Sequence, residues 1–214
     1  MRKFAKGMLI DLGCGEMPFR QFIDNRVTVY HSLDLYPRNS SVTYVGDIQN
    51  MTMIKEQTYD SAICLEVLEH IADPSQALRE ISRILKPDGI LILSVPHLSR
   101  LHDEPDDYYR FTRYGLQRLL ERGSFSVLAL KKRGGLFSFV GHQVSTVVLG
   151  IVWGIPILQS IAWFLNSWLI TRTCYQIDEW LDPTGIFAAG YSAVACRGGE
   201  SGAKSDSSRR EESR

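Results

Sequence analysis

Apolar residues in this chain fall into short continuous runs, and between the runs they recur at helical spacing. The runs Met8–Ile10, Val27–Leu33, Ser61–Leu65 and Ile90–Val95 predict strands buried on both faces, as in a parallel sheet. Ala77, Leu78, Ile81, Ile84 and Leu85 form a stripe at helical spacing. They predict a helix over 72–87, opened by Asp73-Pro74 and followed by an Asp88-Gly89 turn. A shorter helix is predicted over 18–24, and another over 114–122, with Thr112 as its cap and Gly123 at its end. Strands over 125–131 and 186–196 complete the pattern. Strands and helices alternating through residue 97 imply a parallel sheet wound on both faces.

The chemistry begins where the first run ends. Met8-Leu9-Ile10 leads into Asp11 and then into Gly13 and Gly15. That is a strand running into a tight turn with no Cβ in the way of a ligand lying on it. A helix over 18–24 would aim its first amides at an anionic group bound there. The turn is not the dinucleotide fingerprint, because position 18 is proline where G-x-G-x-x-G requires glycine. Asp34 closes the second strand roughly twenty residues beyond the glycines, where an acid can accept hydrogen bonds from ribose hydroxyls.

Asp11-Leu-Gly-Cys-Gly15, Asp34, Gly46-Asp47, Leu65-Glu-Val-Leu-Glu-His70 and Leu85-Lys-Pro-Asp-Gly89 follow one another in order. With these motifs the chain resembles class I S-adenosylmethionine-dependent methyltransferases of the type 11 group, over about residues 8–96. The resemblance implies a Rossmann-like fold: a mostly parallel seven-stranded sheet with an antiparallel last strand and helices on both faces. It implies S-adenosylmethionine as cofactor. Asp11, Gly13 and Gly15 would hold its methionine part, Asp34 the ribose, and Asp47 with Ile48 the adenine; Cys14 and Leu35 would also bind it, and Glu66 would lie beside the methionine end. Two departures stand out: Met17 occupies a position where the family often has a third glycine, and Asp88 replaces a glycine of the turn.

Composition narrows the rest. At 214 residues the chain suits one domain with a substantial core, and its net charge of zero argues against a general nucleic-acid binder. Cysteines 14, 64, 174 and 196 show neither a C-x-x-C pair nor metal-ligand spacing, so a reducing compartment is expected, with no disulfide and no metal. The basic start, residues 1–7, leads straight into the first strand and does not read as a signal peptide; a cytoplasmic protein is expected. The methyltransferase domain would cover 1–197, with an apolar helical insertion over 136–182 before the last strand. Residues 198–214 read as a disordered tail.

Residues 96–112 are rich in groups that do chemistry, and they leave the carboxyl end of a central strand, the edge where open α/β sheets bind ligands. The segment also resembles a loop of a bacterial subset of type 11 enzymes, here His102, Pro105, Asp107, Tyr108, Arg110, Phe111 and Thr112. A solvated connector and an acceptor site both fit it. Methyl transfer from a sulfonium needs alignment above all, and a base only where the acceptor is protonated. A histidine, with an ordinary pKa of about 6.5, suits that base. His102 is the first candidate and His97 the second, with Tyr108 and Arg110 orienting the acceptor, a small molecule, saccharide or lipid-linked saccharide.

From Gly134 through Thr171 no residue carries a formal charge, and 144–170 is nearly all apolar. A single membrane crossing conflicts with topology, because the flanking strands must pair in one sheet. Pro156 splits the stretch into pieces shorter than the roughly 20 residues a span requires. Two short helices are therefore expected, serving as a substrate lid, a peripheral membrane contact on the cytoplasmic face, a dimer interface, or plain packing. Two other functions remain open: an NAD(P)-dependent oxidoreductase on a similar sheet, and a non-catalytic, membrane-associated relative.

Overall fold

The computed structural model describes residues 3–23, 25–38, 40–152, 160, 172–181 and 185–198. Seven strands form one sheet: β1 (Gly7–Leu12), β2 (Val27–Asp34), β3 (Tyr44–Val45), β4 (Tyr59–Leu65), β5 (Leu85–Pro96), β6 (Phe125–Arg133) and β7 (Gly190–Arg197). Their order is β3-β2-β1-β4-β5-β7-β6. The first five pair in parallel, with Asp11 opposite Ser32 on one side and Ile63 on the other. At the far end the direction reverses. Ala189 N–H donates to Arg133 O (2.9 Å) and Gly198 N–H to Ser124 O (3.0 Å), so β7 climbs as β6 descends. Against β5, His97 N–H donates to Ala189 O at one end, and the Arg197 guanidinium reaches Leu85 O at the other. The expected fold, antiparallel close included, is the observed one.

The apolar runs read as doubly buried strands because both faces of the sheet are covered. On one face Leu9, Ile63, Ile90 and Ile92 cluster with Ala5, and Ile23, Val27 and Tyr30 pack against them. Helix α1 (Pro74–Ile84) buries Ala77, Leu78, Ile81 and Ile84, the stripe expected of it. Asp73 caps it by accepting from Gln76 N–H at 3.0 Å. It stops earlier than expected because Pro87 drives Lys86 out of the helical region; Leu85 already pairs with Tyr59 as the first residue of β5. Helix α2 (Arg113–Arg122) is capped by Thr112 as expected, but Ser124 (φ 68°), rather than Gly123, takes the left-handed position after it.

The helix expected over 18–24 is one 3₁₀ turn, Arg20–Phe22, that buries no residue. A short helix with no apolar face to bury is not stable on propensity alone. The dipole argument for an anion cradle falls with it. Strand β3 was not expected, being only two residues long.

The chain divides into two compact units: Met1–Val95, Leu101–Leu130 and Ser192–Arg214 form one, Pro96–Arg100 and Lys131–Tyr191 the other. The second contains α3 (Leu136–Ile151), the first expected insertion helix, and α4 (Arg172–Leu181), which was not expected. The second expected helix, with Trp163 and Trp168, and residues 199–214 of the expected tail lie outside the described residues. Among those described, no helix is long and apolar enough to cross a membrane.

Gly135 offers α3 no side-chain cap, and Asp178 of α4 supplies one. Its buried carboxylate accepts from Phe137 N–H and Ser138 N–H, each at 2.8 Å. Asp178→Ala would strip two charge-assisted bonds, a loss of about 2–4 kcal/mol in local stability. Hydrogen exchange is expected to show the Phe137 and Ser138 amides losing protection, with those of β1 and β4 unchanged.

Candidate active site

The turn after β1 and the turn after β2 are joined by one carboxylate. Asp34 Oδ2 accepts from Gly15 N–H (2.8 Å) and Asp34 Oδ1 from Tyr36 N–H (2.9 Å). Oδ2 also takes the Cys14 thiol at 4.0 Å, while Oδ1 keeps a lone-pair direction for a further donor. Gly13 (φ 67°) must be glycine twice over, because a Cβ there would lie 2.4 Å from Val67 Cγ2. Gly15 (φ 51°) faces open space: an added Cβ would meet nothing within 4 Å. Met17 adopts φ 58° with its side chain buried, so this chain puts a methionine into the left-handed backbone that glycine takes without strain.

Asp11 is buried and accepts from Tyr30 O–H at 2.6 Å. Burial pushes its carboxyl up from 3.8 to about 6, against the Tyr30 hydrogen bond and with the Asp34 charge. Cys14 is pushed up to about 11, by burial first and then by Asp11 and Asp34, and stays a thiol at neutral pH. Asp47 Oδ1 accepts from Gln49 N–H at 2.8 Å. Helix α1 holds the following turn: Glu80 accepts from Met51 N–H, and the Arg83 guanidinium donates to Met51 O and Ile54 O.

These elements border a cleft of about 510 Å³, within the range of small-molecule sites. Gly13, Asp34, Leu35, Asp47, Ile48 and Tyr108 line it, all expected site residues. Asp11, Cys14, Gly15 and Glu66 are not among its lining residues. Glu66 stands at φ 55° after β4, its carboxylate held by Ser94 O–H at 2.6 Å.

The expected acceptor residues part company. Segment 101–112 is strapped to the turn after β4: Glu69 O accepts from Tyr108 N–H and Tyr109 N–H, and Tyr109 O–H donates to Ala72 O. Arg110 spends its fork on Asp107, with both bonds at 2.6 Å, and so holds the loop. That pairing keeps the Asp107 carboxyl well below the usual range. His102 lies beside Asp107 and Glu69, whereas His97 belongs to the second unit, against Tyr191. Tyr108 stays exposed on the cleft. Sequence reasoning singled out neither Glu69 nor His70 as a site residue, although His70 lines the cleft. The signal was an acid and a histidine side by side just past a strand's carboxyl end. It also missed Tyr30, the partner of Asp11, which no motif or spacing marks.

A family model for the methyltransferase domain matches residues 2–134. The chain belongs to this family. A ubiquinone biosynthesis O-methyltransferase of Xanthomonas oryzae pv. oryzae is 28% identical over 103 residues, which are 42% of this chain and 43% of that protein. The chain thus matches less than half of that curated relative's length. Among solved structures, the [4+2]-cyclase SpnF superposes at a TM-score of 0.60 with 16% identity, over 92% of this chain and 78% of its own. A 1,6-didemethyltoxoflavin-N1-methyltransferase from Burkholderia thailandensis, solved with S-adenosylhomocysteine, gives 0.55 with 14% identity, over 92% and 73%. At such identities the likeness is one of fold, and a cyclase on this fold shows that fold does not fix chemistry.

S-adenosylmethionine is the cofactor expected from the chain's motifs, and the cleft's residues fit it. Asp34 Oδ1 has a lone pair for a ribose hydroxyl, Asp47 and Ile48 pair an acceptor with an apolar edge for a base, and beside the cleft the space over Gly15 is open. This family retires the NAD(P) oxidoreductase reading.

The raised Asp11 pKa fixes a sign. Folded Asp11 holds its proton more tightly than the unfolded chain does, so its contribution to stability is whole below 3.8 and is lost as pH rises through about 6. The loss is roughly 3 kcal/mol at 1.36 kcal/mol per unit. Urea unfolding of the parent and Asp11→Asn at about pH 4 and pH 7 checks this. The variant is expected to gain on the parent at the higher pH, and an equal difference at both would contradict the assignment.

Proposed function

We propose that this methyltransferase places a methyl group on a hydroxyl oxygen of a small molecule. One observation carries the reading. Gly13, Asp34 and Asp47 line one cleft together with His70, Asp103, Asp106 and Tyr108, polar groups suited to a hydroxylated acceptor. The likeness to a protein named as an O-methyltransferase supports the same acceptor chemistry.

S-adenosylmethionine supplies a methyl on a positively charged sulfur: the acceptor's lone pair attacks that carbon, and the C–S electron pair returns to sulfur. The chain's residues align the partners, and alignment alone is worth roughly 7–11 kcal/mol at best. Asp34, fixed by two amides, would hold the ribose, and Asp47 with Ile48 the adenine. Tyr108 would orient the acceptor. The hydroxyl proton would leave past the Glu69, His70 and His102 side chains, a group that replaces His102 alone as the centre of proton handling. Arg110 acts through Asp107, as a positioning residue.

A lipid-carried acceptor, such as a lipid-linked saccharide, has one observation in its favour. Val140, Val144, Val147, Val148 and Ile151 of α3 are exposed and fall on one helical stripe, an aliphatic face suited to peripheral contact with a membrane.

Transfer from labelled S-adenosylmethionine to matched phenol, alcohol, amine and thiol acceptors tests the reading, with a long-chain alkyl phenol in vesicles as the lipid arm. Label is expected on oxygen, as a methyl ether. Faster turnover of the vesicle acceptor than of its short-chain analogue would favour the lipid form. Label only on nitrogen or sulfur would overturn the O-methylation reading.

A further inference from the structure

Glu69 poses a problem that the fold does not solve. Its side chain is 0% exposed, and neither carboxylate oxygen has a hydrogen-bond partner among the described residues. Its backbone carbonyl anchors the Tyr108–Tyr109 loop, but any residue's carbonyl could do that. A buried carboxylate without hydrogen bonds costs several kcal/mol unless a charge is brought to it.

Two imidazoles face it. His70 Nε2 lies 3.8 Å and His102 Nε2 3.9 Å from Glu69 Oε1. The three ligand atoms all lie within 4.8 Å of one another. These separations are too long for hydrogen bonds. The two Glu69 separations are close to those of ligands sharing one cation, since bonds of about 2.0–2.2 Å place neighbouring ligand atoms roughly 3–4 Å apart. The outer contact of His70 already frees its inner nitrogen, whereas His102 must change tautomer to bind an ion. His70 Nδ1 lies 2.6 Å from Asp106 O and must donate there, which leaves the Nε2 lone pair toward Glu69. His102 Nδ1 accepts from Arg110 Nη2 at 3.4 Å and lies 3.5 Å from Asp107 Oδ2, which Arg110 also holds, so with no ion present the ring proton sits on Nε2. A cation at His102 Nε2 selects the tautomer in which Nδ1–H points to Asp107, the carboxylate–histidine support common behind metal ligands.

We propose that Glu69, His70 and His102 form a binding site for one divalent transition-metal ion. Two imidazoles and one carboxylate suit ions of the zinc, manganese and iron class rather than calcium or magnesium, which favour oxygen ligands. Three protein ligands leave coordination positions open. His70 also lines the cofactor cleft, so the site borders the space where an acceptor would enter. There the ion has a role, which rests on the O-methylation reading. An acceptor hydroxyl bound to it gives its proton to solvent at lower pH, and the oxygen is left with the electron pair that forms the new C–O bond. The sequence-based expectation of no metal rested on cysteine spacing, which says nothing of a Glu-His-His site.

The untagged full-length protein, stripped by chelator and dialysed, would be titrated calorimetrically with Mn²⁺ and with Zn²⁺. One equivalent is expected to bind at micromolar affinity or tighter. Glu69→Gln and His102→Ala should each weaken binding at least tenfold, while S-adenosylhomocysteine binds within threefold of the parent. Should Glu69→Gln fail to fold, His102→Ala decides, because that side chain is one-third exposed. A parent that takes up no single equivalent, or a His102→Ala protein that binds the ion as tightly as the parent, overturns the site. The cofactor titration on the same samples is independent of the metal, so failure of the metal site and failure of the methyltransferase reading would be told apart.

Discussion

The carboxylate of Asp34 is the clasp on which this site depends. Residue 34 ends β2, the glycine turn follows β1, and the two strands are neighbours. By binding the amides of Gly15 and Tyr36, Asp34 ties the two loops together, alongside the Gly13 and Cys14 N–H bonds to Leu33 O. Its backbone carbonyl accepts from Gly46 N–H, which brings in the third loop, the one leading to Asp47. A single residue thus braces three loops of the cleft and supplies an acceptor inside it. Asp11 lies close enough for Asp34 to raise its pKa, so the polar floor of the site carries an electrostatic cost that Tyr30 offsets in part.

A second anchor works alongside the first. The carbonyl of Glu69 accepts both Tyr108 N–H and Tyr109 N–H, and the Asp106 carbonyl is bound by His70. These bonds bring the loop after β5 onto the turn after β4, placing Tyr108 and Asp106 at the cleft. The loop is therefore a built wall, with Arg110 and Asp107 as its internal brace. Bonding the loop to a backbone carbonyl also leaves the Glu69 side chain free to serve another purpose.

Much of this was legible in the sequence, for physical reasons. Buried parallel strands must be apolar on both faces, so Met8–Ile10, Ser61–Leu65 and Ile90–Val95 announced themselves, and the acids at their ends marked the ligand edge. Gly13 and Asp34 were legible because close approach and a strand-end acceptor restrict residue type. The 3₁₀ turn at Arg20–Phe22 was misread because local spacing resembled a helix, while stability depends on a face to bury, and there is none. The Glu69–His70–His102 group was hidden because its members come from a turn and a distant loop, joined by backbone hydrogen bonds that leave no periodic trace. Arg110 looked like a substrate ligand because the sequence could not reveal that Asp107, three residues away, claims its whole fork.

The central claim is that one cleft, organised by Asp34, receives the cofactor. Amide chemical-shift mapping of ¹⁵N-labelled protein titrated with S-adenosylhomocysteine tests it most directly. The largest shifts are expected at Gly13, Gly15, Tyr36 and Ile48, with the Asp178 amide and its helix unmoved. Saturable shifts centred elsewhere, or an unchanged spectrum at millimolar ligand, would contradict it.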